Sequence, residues 1–435
     1  MSDVKKLSVD ALVVGAGIAG IESALNVANN GFKVLLVEKD LTIGGKMILL
    51  SKVFPTLDCA ACITTPKVSE ISRHTNVTIF TNSEVLHIDK QDKHYFKAQV
   101  KQNPRFVVAN DCTGCQLCEN ACPVVVPDQY QFNLVGRKAA YIPFNIASPR
   151  VATIDLENCI LCGACEKACP TNCIDFTQTA EEYEVIAKTV IMATGFNLFD
   201  PSKIERFSFN KSKNIITSMQ MERLLAPTRP YNHVLRPGDG RIPDKIAYVL
   251  CTGSRDMSCG NPICSQICCM YSIKQAQLLM GALPMADVTI YYINIRSFGK
   301  GFEEFYEQAK GMGVNFVKGK IGKISENDSG NLILRYEDIN QGVLQESEHD
   351  LVVLSVGVLA NQESEKLFDK GLWKKDEFNF AFQKDLFLSP SLSNIEGLFL
   401  SGTTTAPMDI PDTILSAGSA AMEAIRYIKH STVTI

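Results

Sequence analysis

Eight cysteines form two copies of one pattern, in which four thiols are separated by two, two and three residues and a proline follows. The first copy consists of Cys112, Cys115, Cys118 and Cys122, and the second consists of Cys159, Cys162, Cys165 and Cys169. Thiolates are soft ligands for iron, and this spacing is typical of proteins that hold two [4Fe–4S] clusters. The fourth cysteine of each run then ligates the other cluster, so we expect Cys169 to join the first run and Cys122 the second. Zinc binding, or cysteines that merely fill a core, would not explain two complete copies of the pattern.

A third group of cysteines has a spacing unlike these runs. It consists of Cys251, Cys264, Cys268 and Cys269. Cys251 ends a predicted strand, and Cys268 lies at the start of the next predicted helix, 266–280, so the four thiols could converge. From the spacing alone, a third cluster, a redox dithiol and buried thiols all remain open.

Four of the 16 cysteines lie outside these groups. Cys59 and Cys62 could supply half of the ligands of a further cluster that another polypeptide completes, and the alternatives are a dithiol or buried thiols. Cys173 is expected to fill the core of the ferredoxin-like part. Cys259 is either uninvolved or an alternative ligand of the third group.

A glycine-rich turn near the amino terminus predicts a dinucleotide site. Gly15, Gly17 and Gly20, with Ala19, connect an apolar strand at 10–14 to a predicted helix at 18–29. Such glycines permit a tight turn and let a pyrophosphate approach the helix amino terminus. Glu38, followed by Lys39, ends the next predicted strand, 32–37, where an acid hydrogen-bonds ribose hydroxyls. The later turns Ala193-Thr194-Gly195 and Ser401-Gly402-Thr403 are expected to complete this domain.

Composition limits the classes of function. A chain of 435 residues with 46% hydrophobic residues can bury the cores of two or three domains. Its formal net charge of −4 does not indicate a nucleic-acid-binding protein. The longest apolar runs, such as 352–360, are too short to span a bilayer, so membrane contact would be peripheral and through a partner. Residues 1–6 do not read as a secretory leader, and we expect reduced thiolates in the cytoplasm.

Several segments resemble the A subunit of heterodisulfide reductase. They are 54–62, 137–144, 251–274, 299–306 and 409–413, and they are spread over nearly the whole chain. The resemblance implies a thioredoxin reductase-like core that carries FAD and holds an inserted ferredoxin. It also implies that Cys251, Cys264, Cys268 and Cys269 ligate a third cluster.

We therefore expect an α/β, thioredoxin reductase-like flavoprotein with two dinucleotide-binding domains and an inserted two-cluster ferredoxin domain. The expected order is an FAD-binding part, the ferredoxin insert, a second FAD-binding part, a degenerate pyridine-nucleotide-like domain and a final FAD-binding part. Their expected bounds are 1–105, 106–178, 179–244, 245–358 and 359–435. The stretch 124–154 is longer than a ferredoxin needs and is expected to pack on the flavin domain.

The resemblance also implies roles for residues near the flavin. Gly44, Gly45 and Lys46 would form the loop over the FAD pyrophosphate, and Asp412 and Thr413 would complete the cofactor site. Lys274 and Glu222 would lie at the reactive edge of the flavin, as a cation and a proton relay. Without the resemblance, an exposed pair on two helices is an equal alternative.

The second α/β unit, from residue 245, has Cys251-Thr252-Gly253-Ser254 where a nicotinamide enzyme places its glycine fingerprint. We therefore expect electrons to enter and leave through clusters, with B- and C-type subunits, ferredoxin, or a hydrogenase or formate dehydrogenase as partners. The resemblance also admits flavin-based electron bifurcation. Two alternatives stay open: an NAD(P)H–ferredoxin oxidoreductase resembling the glutamate synthase small subunit, and a relay subunit with a vestigial flavin site.

Overall fold

The computed structural model describes residues 4–91 and 95–431. The strands, in chain order, are β1 (Lys5–Val14), β2 (Val34–Val37), β3 (Val77–Phe80), β4 (Ser83–Lys90), β5 (Phe96–Gln102), β6 (Val125–Pro127), β7 (Gly136–Lys138), β8 (Ala140–Tyr141), β9 (Thr153–Ile154), β10 (Glu181–Met192), β11 (Phe196–Leu198), β12 (Ile215–Thr217), β13 (Lys245–Thr252), β14 (Asp287–Tyr292), β15 (Asn315–Glu326), β16 (Leu332–Asp338), β17 (Val343–His349), β18 (Leu351–Val356), β19 (Val358–Ala360) and β20 (Leu398–Leu400). The α-helices are α1 (Ile18–Asn29), α2 (Ala60–Arg73), α3 (Leu117–Ala121), α4 (Ala164–Ala168), α5 (Ser218–Leu225), α6 (Cys268–Ala282), α7 (Phe302–Gly311) and α8 (Ile410–Ser431).

The first sheet combines strands from both ends of the chain. Its order is β3-β2-β1-β10-β5-β4, and β20 pairs with the carboxyl end of β10. Strands β3, β2, β1, β10 and β20 run parallel, whereas β5 and β4 are antiparallel. The consecutive apolar residues at the carboxyl ends of β1 and β10 are buried on both faces of the sheet, as is typical of parallel strands. Helices α1 and α8 pack together on this sheet and bury a shared apolar core.

The second sheet has the order β12-β18-β13-β14-β15-β16-β17. Alternate residues of β13 enter opposite cores: Ile246 and Tyr248 face the helices α5 to α7, whereas Ala247 and Val249 face the other side. The sequence predicts this unit from residue 245, but β12 at Ile215–Thr217 already pairs with β18. That strand is only three residues long, which is too short for a recognisable periodicity.

The segment between β5 and β10 forms a small body with its own core around Val107, Ile142 and Ile154. Its intervening stretch packs on the domain of the first sheet, where the backbone N–H of Ser148 donates to Thr42 Oγ1 at 2.8 Å. It also packs on α5, because Gln220 Nε2 donates to the carbonyl of Phe132 at 3.1 Å. The insert therefore contacts both dinucleotide-binding domains.

Most predicted elements are found with small shifts at their ends. The helix expected at 266–280 begins at Cys268, and the strand expected at 32–37 begins at Val34. The sequence predicts a closing helix at about 412–429, and the observed helix α8 is longer, Ile410–Ser431. None of the helices in the described ranges has both the length and the apolar character needed to cross a bilayer.

Candidate redox site

Two cavities in the insert gather the thiols of the paired runs. The lining of the first includes Cys112, Cys115, Cys118 and Cys169, and the lining of the second includes Cys122, Cys159, Cys162 and Cys165. These are the two crossed groups that the spacing predicts. Helices α3 and α4 carry the third cysteine of each run into the interior, where both thiols are buried. Soft sulfur donors in sets of four fit [4Fe–4S] clusters, so the residues present suit the predicted cofactors.

A fifth thiol lies in the first cavity. Cys173 is 4% exposed, and its Sγ lies 3.4 Å from that of Cys169. Burial acts against charge on Cys169, but donors from Cys173 and Thr171 outweigh it and lower its pKa to about 7. The sequence predicts Cys173 as core filling, and the structure adds that it is part of the lining of this cavity.

The third group of thiols converges at the carboxyl end of β13 and the amino terminus of α6. The thiol of Cys268 lies close enough to those of Cys251 and Cys269 to shift their pKa values. Cys264 lies close enough to interact electrostatically with Cys251 and Cys269. The four predicted ligands are thus brought together, whereas Cys259 packs against the core on the opposite side of β13.

Cationic side chains accompany this group. The neighbouring Cys268 thiol and, after it, the nearby Arg255 and Arg296 lower the pKa of the Cys251 thiol to about 7. Cys268 and Cys269 also occupy the first turn of α6, where the helix dipole favours negative charge. Negative charge on Cys251 and Cys269 is therefore stabilised at this position, whereas the two neighbouring thiols raise the pKa of Cys268.

Cys59 and Cys62 lie at the start of α2. Cys59 is the amino-terminal cap of that helix and Cys62 is exposed, so the alternative of two buried thiols is wrong. Burial opposes charge on Cys59, but hydrogen bonds from Cys62 outweigh it and lower the pKa of Cys59. Cys62 is accessible from the surface and Cys59 is partly so.

The glycine turns form a close-packed cradle. A Cβ on Gly15 would lie 2.4 Å from the carbonyl oxygen of Ala193, and one on Gly45 would lie 2.7 Å from the Cα of Gly17. A Cβ on Gly402 would meet that of Ala19 at 2.7 Å. Only glycine permits this approach of separate turns to the start of α1, and such a cradle fits the pyrophosphate of a dinucleotide.

Glu38 lies beside this cradle and is buried. Its carboxylate accepts from the backbone N–H of Ala16 at 2.7 Å and from that of Asp40 at 3.0 Å. Burial raises the pKa of Glu38. The neighbouring Lys39 is exposed and pairs with Glu363 at 3.4 Å.

The remaining predicted cofactor residues surround the same turns. Lys46 Nζ donates to the carbonyl of Phe196 at 2.6 Å, directly after the turn Ala193-Thr194-Gly195. Thr413 is buried, and its hydroxyl donates a hydrogen bond to the carbonyl of Asp409. Asp412 is exposed in the first turn of α8. Thr403 lies in the short 3₁₀ turn Gly402–Thr404.

Lys274 and Glu222 are buried together and are not an exposed helix pair. Lys274 Nζ contacts Glu222 Oε1, and both side chains are 2% exposed. The second carboxylate oxygen accepts from the backbone N–H of Ser51 at 2.8 Å and from its hydroxyl at 2.6 Å. Burial would raise the pKa of Glu222, but Lys274 and these donors hold it below its ordinary value. Ser51 follows the Gly44–Lys46 loop, so the pair connects that loop to α5 and α6.

Arg223 is a structural residue that the sequence did not reveal. Its Nε donates to Gln131 in the insert at 2.9 Å, and its Nη1 donates to the carbonyl of Leu49 at 3.0 Å. Its Nη2 donates to Thr228 Oγ1 at 2.9 Å. One guanidinium therefore joins the insert, the short helical turn Gly45–Leu49 and the second domain. Nothing in the local sequence signals such long-range partners.

Comparisons with known proteins agree with this geometry. A family model described as pyridine nucleotide-disulphide oxidoreductase matches residues 9–112, and one described as 4Fe-4S dicluster domain matches residues 111–174. The A subunit of the H(2):CoB-CoM heterodisulfide,ferredoxin reductase of Methanothermobacter thermautotrophicus is 39% identical over 432 residues, 98% of this chain and 65% of that protein. The iron-sulfur A subunit of the CoB--CoM heterodisulfide reductase of Methanocaldococcus jannaschii is 41% identical, over 94% of this chain and 63% of that protein.

The chain is an iron–sulfur flavoprotein of the heterodisulfide reductase A-like kind. A further relative is the A subunit of the H(2)/formate:CoB-CoM heterodisulfide,ferredoxin reductase of Methanococcus maripaludis, 41% identical over 97% of this chain and 65% of its own length. The chain thus spans less than two thirds of the length of these curated relatives.

Solved structures confirm the fold class. Thioredoxin reductases from Lactococcus lactis and T. acidophilum each align over 97–98% of this chain and 99% of theirs, with a TM-score of 0.55. Each is 14% identical in sequence, so the likeness concerns the fold. The thioredoxin reductase-like core with an inserted dicluster domain is therefore as the sequence predicts.

Proposed function

We propose that this chain is the flavin- and cluster-bearing electron-transfer subunit of a heterodisulfide reductase-like complex. Its oxidoreductase activity would exchange electron pairs at FAD and pass single electrons to [4Fe–4S] clusters. The observation that carries the proposal is the placement of Cys251 at the carboxyl end of β13 and of Cys268 and Cys269 at the start of α6, with Cys264 in the loop that joins them. A nicotinamide enzyme of this fold would place its nucleotide there.

The position of this thiol group determines the expected route of electrons. Its thiols lie at the end of β13, in the loop that follows and at the start of α6, and Lys274 lies on the same helix, five residues after Cys269. A third cluster at this turn would take the place of a pyridine nucleotide. Electrons would then enter and leave through the clusters of this chain.

The residues around the proposed flavin site have separate roles. FAD supplies two-electron redox chemistry when it is bound. The cradle at Gly15, Gly45 and Gly402 would hold its pyrophosphate, and Glu38 would exchange its backbone partners for ribose hydroxyls. Lys274 would place a positive charge close to the flavin. Glu222 would act as a proton acceptor, because its carboxylate stays ionised at neutral pH.

Cys59 and Cys62 would ligate a further cluster that a second polypeptide completes. Their exposure at the start of α2 makes the pair accessible to such a partner. The test is iron analysis of the isolated chain and of the native complex with both cysteines replaced by serine. The proposal requires less iron in the complex and the same iron in the isolated chain.

The proposed partners are B- and C-type subunits of a heterodisulfide reductase, together with ferredoxin or with a hydrogenase or formate dehydrogenase subunit. The similar proteins are named for H(2), formate and ferredoxin reactions, which supports this set. Anaerobic purification from the native host followed by identification of the co-purifying subunits would select among them. Bifurcation would require that set to include a low-potential acceptor.

Anaerobic reduction of the purified chain tests the central proposal. We expect stoichiometric FAD, bleached by a reduced ferredoxin or dithionite and left oxidised by NADH and NADPH. Rapid bleaching by NADPH would instead favour the NAD(P)H–ferredoxin oxidoreductase. A protein that retains clusters but binds no FAD after reconstitution would favour the relay subunit.

A further inference from the structure

The first cavity of the insert contains more thiols than one cluster needs. Its lining includes Cys173 in addition to the four predicted ligands. The Sγ atoms of Cys173 and Cys169 are 3.4 Å apart, which is direct contact. A [4Fe–4S] cluster takes one cysteine sulfur on each of its irons, so two sulfurs in contact do not both bind it.

The backbone holds Cys173 firmly in this place. Its carbonyl accepts from the N–H of Val108 at 2.7 Å, and Ile174 forms a bridge with Val107. Asn172 adopts a left-handed conformation with φ of 52°, which turns the chain back after Cys169. Because the backbone is anchored on both sides of this turn, a side-chain rotation is the movement available to the Cys173 thiol.

The second cavity lacks this arrangement. Its lining contains four cysteines, and Val126 lies four residues after Cys122, where Cys173 lies after Cys169. Cys122 and Cys169 otherwise have equivalent positions, since each is the carboxyl-terminal cap of a five-residue helix and precedes a proline. The two halves of the insert therefore provide their own matched comparison.

The geometry points to Cys173 as a reserve ligand that holds the first cluster when the sulfur of Cys169 is lost. This inference rests on the proposed ferredoxin clusters. In the exchange, Cys173 gives its thiol proton to water and its Sγ forms the iron–sulfur bond that Cys169 no longer makes. One iron–thiolate bond replaces another, and the oxidation state of the cluster does not change.

The test compares Cys169→Ala with Cys122→Ala after anaerobic reconstitution. We expect Cys169→Ala to retain the iron and acid-labile sulfide of the wild type, with an altered electron paramagnetic resonance spectrum or reduction potential of one cluster. We expect Cys122→Ala and the double variant Cys169→Ala/Cys173→Ala to lose one cluster each. Cys173→Ala alone should keep both, because Cys169 is then the ligand.

Loss of a cluster from Cys169→Ala, to the same extent as from Cys122→Ala, would overturn the inference. So would full iron retention by the double variant, since the fifth thiol would then be unnecessary. Circular dichroism of each variant identifies misfolding, and Cys173→Ser/Cys169→Ala provides a variant of nearly unchanged volume. If the wild-type insert binds no clusters, the proposed function is wrong. If the wild type binds its clusters and Cys169→Ala loses one, only the inference about Cys173 is wrong.

Discussion

Lys274 and Glu222 form an ion pair that is almost completely excluded from water, although they come from different helices. Each side chain is 2% exposed. Ser51 and Gln275 supply further hydrogen bonds to the carboxylate. Such a pair gains little stability over apolar residues, but loss of one partner leaves a buried charge without compensation.

Replacement of one partner of this pair should destabilise the protein strongly. We expect Lys274→Met to cost about 3–5 kcal/mol, because the Glu222 carboxylate would be buried without its cation. The double variant Lys274→Met/Glu222→Gln should recover a large part of that loss. Thermal melting of the anaerobic protein measures both, and equal melting temperatures for the single and double variants would contradict the argument.

The flavin potential should respond to the same substitution. A cation close to the flavin favours its negatively charged reduced form, so Lys274→Met should lower the flavin reduction potential. Redox titration at constant pH measures this change. An unchanged potential in a variant that keeps its FAD would place Lys274 too far from the flavin to act on it.

Replacement of Arg223 should loosen the contact between the insert and the two dinucleotide-binding domains. Lysine has one nitrogen and cannot reach Gln131, Leu49 and Thr228 together, so Arg223→Lys should resemble Arg223→Ala. We expect faster amide exchange around 129–134 and slower electron exchange between insert and flavin, with unchanged iron content. Arg206→Lys, at a partly exposed arginine, serves as the control and should leave both rates unchanged.

Two glycines with different surroundings, Gly20 in the cradle and Gly281 in α6, should respond oppositely to replacement by alanine. Gly20→Ala should abolish FAD binding or folding, because its Cβ would lie 1.8 Å from the carbonyl oxygen of Gly15. Gly281→Ala is the matched substitution, since no atom of residues 4–91 or 95–431, other than its own neighbours along the helix, lies within 4 Å of its added Cβ. That variant, within α6, should be stabilised by up to about 1 kcal/mol. FAD content and melting temperature of the two variants are the measurements.

His349 should make the stability of the second domain depend on pH. It is 3% exposed, its Nε2 lies 3.0 Å from the hydroxyl of Tyr291, and burial lowers its pKa to about 4. Between about pH 6.5 and 4 the unfolded chain binds a proton that the folded chain does not, so stability falls as pH decreases through this window. The full effect is about 3 kcal/mol. Chemical denaturation of wild type and His349→Gln should show a stability that falls more steeply in the wild type across this window, and the difference between the two reports His349.

The sequence predicted the fold where its signals are local. The spacing of the two cysteine runs indicated the crossed groups that line the two cavities, because short loops and helices fix the relative positions of such thiols. The turn Gly15–Gly20 and the acid Glu38 identified the dinucleotide cradle for the same reason. The three-residue strand β12 carries too little periodicity, and the sequence therefore placed the start of the second unit at residue 245.

The types of residue at each site were thus determined by the sequence itself, since chemistry and spacing are local properties. Tertiary structure decided which distant residues meet. Only folding brings Ser51 to Glu222, Gln131 to Arg223 and Cys173 into the first cavity, because each contact depends on how separate elements pack. Burial of the Lys274–Glu222 pair was likewise decided at that level, since neither helix by itself can exclude water from two charges.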